Sequence, residues 1–256
     1  MPSIYTHYRY GNEVLNKLSP EDKNIVLNNI DEYILGLQGP DFLFFDTLSK
    51  KKTSELGSKM HLMSFNEVLD NFVFTNKNFE MSYLYGFLTH FILDSYIHPV
   101  IKNYTDDGED HFEIETELDR YYMNLDNKDF SSFRLSSISP YNKNLSENIY
   151  SIYRNFSDKD SINSSIKGMK RIKSLLRCNN SIKYGFIKFV MKRLGQWDKF
   201  KHIIYYGEKK ERLILIVDEL VMLYDDAIND FDLHFYNLKK YLNDGIKCEY
   251  FENDFE

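Results

Sequence analysis

The stretch Phe79–Pro99, FEMSYLYGFLTHFILDSYIHP, constrains this chain more than any other. It is the most apolar run in a sequence whose mean hydropathy is only -0.48. Inside it stand His90, Asp94 and His98, each four residues after the last. On an α-helix four residues advance about 6 Å along the axis and end only about 40° round from the starting direction. The three groups therefore share one stripe of a helix that is apolar all round, and such a helix belongs in a protein interior. A buried polar group without a partner costs about 1–3 kcal/mol. A metal ion would satisfy all three.

The rest of the first half supplies further donors. Of seven histidines, five (His7, His61, His90, His98 and His111) lie in the first 111 residues. Imidazole together with carboxylate suits zinc and related borderline metals. His90 and Asp94 form one i,i+4 pair and His111 and Glu115 a second, each able to chelate one ion from one helix face. His98 lies two turns, about 12 Å, beyond His90, so the spacing asks for at least two ions. Glu113 and Glu117 fall on other faces and read as solvent-facing or supporting groups. His202 has no carboxylate at ligand spacing, and Asp230 with His234 reads as an exposed ion pair.

Helical signals run through the whole chain. Ser19 before Pro20 is an N-cap followed by a proline at the first helical position, and a period of Ile25, Val26, Ile30, Tyr33, Ile34 and Leu37 follows until Gly39-Pro40. Lys50 to Lys59 reads as a polar mobile connection, and residues 126–146 as a long surface loop. Pro99 is expected to end the central helix. Three helices are expected at about 144–156, 160–177 and 180–194, and a longer one from Leu213 to a stop at Gly245. The expected fold is all-α, a multi-helix domain built around the buried central helix with additional C-terminal helices. Residues 1–256 are read as a single helical domain, with a metal-binding core over about 1–125 and a C-terminal helical part over about 144–245.

Net charge is -7 and the pI about 5.6, so no global field attracts nucleic acid or anionic lipid. Stable nucleic-acid binding is therefore not expected, although a local basic patch is compatible with that balance. Cys178 and Cys248 fit neither a disulfide framework nor a thiolate metal site. No signal segment is visible at the start, and no segment reaches about 18 uninterrupted apolar residues. A cytoplasmic location without a transmembrane segment is the expectation.

GPD at 39–41, His61, HxxxD at 90–94, HP at 98–99 and HxxxE at 111–115 together resemble the zinc-dependent phospholipase C family, whose fold and metal cluster are shared with single-strand-specific zinc nucleases. The resemblance covers roughly residues 1–125 and implies an all-α fold holding two to three Zn2+ ions. Carried over position by position, it implies that Asp41, His61, His90 and Asp94 hold one zinc, and that His98, His111 and Glu115 hold a second. Asp94 would bridge to a third, shared with His7 and the terminal amine, and Asp41 would be either a ligand or the base for the attacking water. Secreted phospholipases have five residues where this chain has three between Asp94 and His98, and they begin with a Trp that is missing here. Removal of Met1 would offer the Pro2 amine instead. The lipid-binding β-sandwich of toxin members has no expected counterpart, because residues 130–256 read as helices.

The resemblance implies a zinc-dependent phosphoric diester hydrolase of the phospholipase C type, with Asp41 as catalytic residue and a phosphodiester substrate, a phospholipid that loses its headgroup. A zinc nuclease and a metal-binding helical protein without catalysis are the alternatives. Phe42, Phe44 and Phe45 beside Asp41 would either flank the cleft or pack in the core.

Overall fold

A computed structural model describes residues 3–46 and 52–255. The Pro2 amine therefore lies outside the described residues. The helices are α1 (Ile4–Val14), α2 (Pro20–Asn28), α3 (Ile30–Gly36), α4 (Lys52–His61), α5 (Phe65–Asn71), α6 (Asn78–Asp106), α7 (His111–Leu125), α8 (Lys143–Tyr153), α9 (Lys159–Leu176), α10 (Ser181–Arg193), α11 (Trp197–Phe200) and α12 (Ile214–Asp244). Short 3-10 turns include Gly39–Phe45, Leu135–Ile138 and Glu249–Glu252. Among the described residues the only β pairing is an isolated bridge between Arg177 and Tyr205. The fold is all-α, and no described helix is long and apolar enough to cross a membrane.

The central helix, α6, is buried on every side: Tyr83, Phe87, Phe91, Leu93 and Ile97 all have 0% exposure. Helix α3 crosses it at a pair of glycines, Gly36 and Gly86, where the two backbones meet. Helix α12 packs along α6 and α7, and α1 packs on the same two helices. One continuous hydrophobic core runs from Ile4 to Phe255.

Local signals formed most elements as expected. Ser19 Oγ accepts from Asp22 N at 3.1 Å, and Ser64 and Glu67 close a capping box on α5. Gly245 ends α12 in the left-handed conformation with φ 68°.

Four local expectations are corrected. First, α6 does not stop at Pro99 but runs to Asp106. An interior proline costs about 3 kcal/mol, whereas each fully buried isoleucine contributes about 1.5–3. Ile97 and Ile101, buried on either side, outweigh the proline. Second, the helix starting at Pro20 breaks at Asn29, whose carbonyl accepts from Ser82 Oγ of α6 at 2.7 Å. Third, residues from Lys52 on form α4, because Thr53 and Met60 share a buried face against the Gly39–Phe45 turn. Residues 47–51 lie outside the described part. Fourth, the 126–146 segment is anchored by buried Phe130, Leu135 and Ile138 and holds a 3-10 turn.

Candidate metal centre

The stripe on α6 faces α1 on one side and α7 on the other. His7 of α1 brings its Nε2 to 3.0 Å from Asp94 Oδ1, and His90 Nε2 lies 2.8 Å from Asp94 Oδ2. His98 Nε2 sits 3.7 Å from Asp94 Oδ1 and 3.6 Å from Glu115 Oε1, and His111 Nε2 is 3.2 Å from Glu115 Oε2. Two groups of donor atoms result, His7–His90–Asp94 and His98–His111–Glu115, each within 4.8 Å of one another. Asp94 stands between them. A third pair lies beside them, Asp41 Oδ1 and His61 Nε2 at 3.0 Å.

The resemblance gives His7 a share of Asp94 through a bridged ion; the donor atoms within reach of one another are those of His7, His90 and Asp94, with the Asp41–His61 pair beside them. The cause is tertiary: Asp119 of α7 accepts from Tyr5 N at 3.0 Å, Thr6 N at 2.8 Å and Thr6 Oγ1 at 2.6 Å, and also from the Tyr205 hydroxyl. One buried carboxylate thus pins the first turn of α1 and aims His7 at α6.

The residues fit a metal. Among the described residues, the buried nitrogens His90 Nε2 and His98 Nε2 have no hydrogen-bond partner, although carboxylate oxygens lie nearby. Short separations without hydrogen-bond alignment are what donors aimed at a common ion produce. His98 Nδ1 donates to the Phe255 carbonyl at 2.5 Å, and His61 Nδ1 donates to the Gly57 carbonyl at 2.7 Å. Each bond fixes the tautomer and turns the Nε2 lone pair towards the cluster, as metal-bound histidines require.

The electrostatics agree. Burial opposes ionisation of Asp94, yet His90, His98 and His7 hold its carboxyl well below the ordinary range. Glu115 is likewise ionised against its burial, with His111 and His98 beside it. Burial would depress His98, but Asp94 and Glu115 push it up to about 9. Burial and the neighbouring His90 lower His7. Such a cluster of anionic oxygens and imidazoles is suited to a dication, which competes with protons for the same nitrogens.

A cavity of about 850 Å³ opens onto this cluster, with Asp41, His61, His98 and His111 at its polar end. The remaining wall is mostly apolar and is built by Phe44 and Phe45, α9 and α10. Phe42, by contrast, is core, stacked edge-on against Tyr153.

Several supporting residues were not apparent from the sequence. Phe255 N donates to the His61 carbonyl at 3.1 Å while its own carbonyl holds His98, so the C-terminal tail straps two candidate ligands. Nothing in the tail's composition signals this. Deleting residues 249–256 is expected to weaken zinc binding about 10–100-fold, measured by competition with a chromogenic chelator; unchanged affinity would detach the tail from the site. Asp119 had a signal, since His111, Glu115 and Asp119 repeat every four residues. Lys173, on the inward stripe of α9, is buried and donates to Gln38 Oε1 at 2.5 Å, just before the turn that carries Asp41. Burial pushes Lys173 down to about 7.

Other histidines stand apart from the cluster. His202 pairs with Glu113 at 3.2 Å, and Glu113 also meets Arg212. Glu117 pairs with Arg120 at 3.1 Å. His234 is buried and stacked on Tyr250 at 3.6 Å, not in an exposed pair with Asp230, which instead accepts from Tyr96. The face of α12 that carries His234 turns inward because Phe231 and Leu238 share it.

Neither the curated proteins nor the solved structures contain a match to this chain. The family model described as zinc dependent phospholipase C matches residues 6–172. That match takes in all eight candidate ligand side chains and runs from within α1 to most of α9. The chain belongs to the zinc-dependent phospholipase C family.

Proposed function

We propose that the chain is a phosphoric diester hydrolase that releases the headgroup of a phospholipid, with two to three Zn2+ ions held by His7, Asp41, His61, His90, Asp94, His98, His111 and Glu115. The observation that carries the reading is the cavity, with metal donors at one end and an apolar wall over the rest. An amphiphile with a phosphodiester head and acyl chains matches that division. Zinc in such a site supplies Lewis acidity and lowers the pKa of water.

The chain's own residues do the rest. Asp94, ionised between His7, His90 and His98, sets the spacing of the two donor groups. Asp41, at the cavity wall, stays ionised against its burial, with His61 Nε2 at 3.0 Å from its Oδ1. A carboxylate so stabilised orients the attacking water and passes its proton onward rather than keeping it. Phe44 and Phe45 exclude bulk water from that end and receive the first acyl carbons.

The test is direct. Zinc-loaded protein is expected to release phosphorylated headgroups from a mixed phospholipid panel, and to hydrolyse single-stranded DNA at least about tenfold more slowly. Cleavage of DNA without headgroup release would replace this reading with the nuclease.

A further inference from the structure

Outside the family-matched segment, α10 carries a feature the catalytic reading does not use. Ile182, Phe186 and Phe189 are 83%, 66% and 64% exposed, and they follow one another at i, i+4 and i+7. Those intervals place all three on one helical stripe. Leu194 just beyond the helix and Leu175 at the end of α9 are also exposed, at 67% and 51%. Exposed large apolar residues scattered singly are ordinary, but five within twenty residues, three of them in register, form a patch.

The charge of this region is opposite to that of the whole protein. Between Ser161 and Trp197 there are nine lysines and arginines and no aspartate or glutamate, in a chain of net charge -7. Some of these cations have internal roles: Lys173 is buried, and Lys183 donates to the Ser174 and Arg177 carbonyls. Arg171, Lys192 and Arg193 are exposed. The patch is also continuous with the cavity, because Phe186 and Leu175 line its wall while standing exposed at its rim.

We propose that α10 is an interfacial helix that seats the cavity mouth on an anionic lipid surface. Ile182, Phe186 and Phe189 enter the boundary between headgroups and acyl chains, and Arg171, Lys192 and Arg193 meet lipid phosphates. The other side of α10 packs Ile187 on the protein, so the exposed stripe is a second apolar face, and such a stripe with basic residues beside it binds in this way. The docking deepens the lipid-hydrolase reading and rests on it for its purpose, since a lipid lifted from the bilayer would pass Phe186 directly into the cavity. A two-fold contact between copies would set this acid-free run against itself, so like charges disfavour a second copy there and favour an anionic surface.

The single tryptophan, Trp197, supplies the probe. It packs edge-on against Tyr184 of α10, with the Lys188 ammonium 5.2 Å from its ring. The full chain is titrated with vesicles of phosphatidylcholine containing 30% phosphatidylglycerol, following Trp197 emission and co-sedimentation. Binding is expected to be at least about tenfold stronger than to pure phosphatidylcholine. Ile182→Ser with Phe189→Ser, and separately Lys192→Glu with Arg193→Glu, are expected to weaken it about tenfold or more. Both double variants are expected to keep the rate on a soluble aryl phosphodiester and the circular dichroism of the parent. Vesicle binding that neither pair alters overturns the proposal. So does a dimer in sedimentation equilibrium that Ile182→Ser with Phe189→Ser dissolves, or single-stranded DNA retention without vesicle binding. Normal docking with no hydrolysis of any phosphodiester would overturn the catalytic reading while leaving the docking intact. Hydrolysis of soluble substrate without docking would do the reverse.

Discussion

Asp94→Asn is expected to strip zinc from the protein. Purified from zinc-containing medium, the variant should hold at least one ion per chain fewer than the parent by elemental analysis, and its phosphodiester turnover should fall by about 1,000-fold or more. The reason is position. Asp94 is 1% exposed and lies against three imidazoles, with one oxygen near His7 and His98 and the other 2.8 Å from His90. Asparagine keeps the volume but loses the charge and one of two acceptor oxygens. Removing even a supporting partner of a metal ligand costs about 10–100-fold in affinity, so a ligand shared by two donor groups costs more. Glu113→Gln is the control. Glu113 is also buried and acidic and lies on the neighbouring helix, but it faces His202 and Arg212. Its zinc content should match that of the parent. Full zinc in Asp94→Asn would remove this residue from the centre.

Gly86→Ala is expected to lower the melting temperature by roughly 6–12 °C, from a loss of about 3 kcal/mol in a chain of this size. A Cβ at Gly86 would stand 2.3 Å from the Tyr33 carbonyl oxygen, and one at Gly36 2.3 Å from the Tyr83 carbonyl oxygen. Both neighbours are backbone, so neither can rotate aside, and α3 would have to move off α6. The effect reaches the site. Helix α3 leads into the Gly39–Phe45 turn, where Gly39 has φ 49° and a Cβ would overlap the His90 ring. Displacing α3 therefore also displaces Asp41 relative to His90, and zinc affinity should fall with stability. Gly185→Ala separates this from a general effect of glycine. Gly185 sits inside α10 with nothing within 4 Å of a Cβ, and alanine there should be neutral or stabilising by up to about 1 kcal/mol. Equal melting temperatures for Gly86→Ala and the parent would refute a backbone-to-backbone crossing at this glycine.

Much of the donor set was legible because its spacing is a helical property. His90, Asp94 and His98 needed no knowledge of the fold to be placed on one stripe, and the same holds for His111 and Glu115. What spacing could not supply is which stripe faces which. The carried-over grouping gives His7 and His90 separate ions joined by Asp94; the capping of α1 by Asp119 brings the two rings to 4.3 Å between centroids. That contact depends on residues more than 110 positions apart. The polar segment from Lys52 and the continuation of α6 through Pro99 were misread for a related reason. Local propensity is worth about 1–3 kcal/mol at most, and burial against a distant element exceeds it.

By itself, the sequence determined that this chain is helical, that its most apolar helix carries a line of buried groups able to hold a metal, and that the groups suit zinc. These follow from the 3.6-residue period and from the cost of burying an imidazole or carboxylate without a partner. Only the tertiary structure decided that His7 joins His90 and Asp94, that the Phe255 carbonyl aims His98, and that α9 and α10 wall an apolar cavity beside them. Each of these is a meeting of groups far apart along the chain. Their geometry is set by how helices pack, which no local pattern encodes.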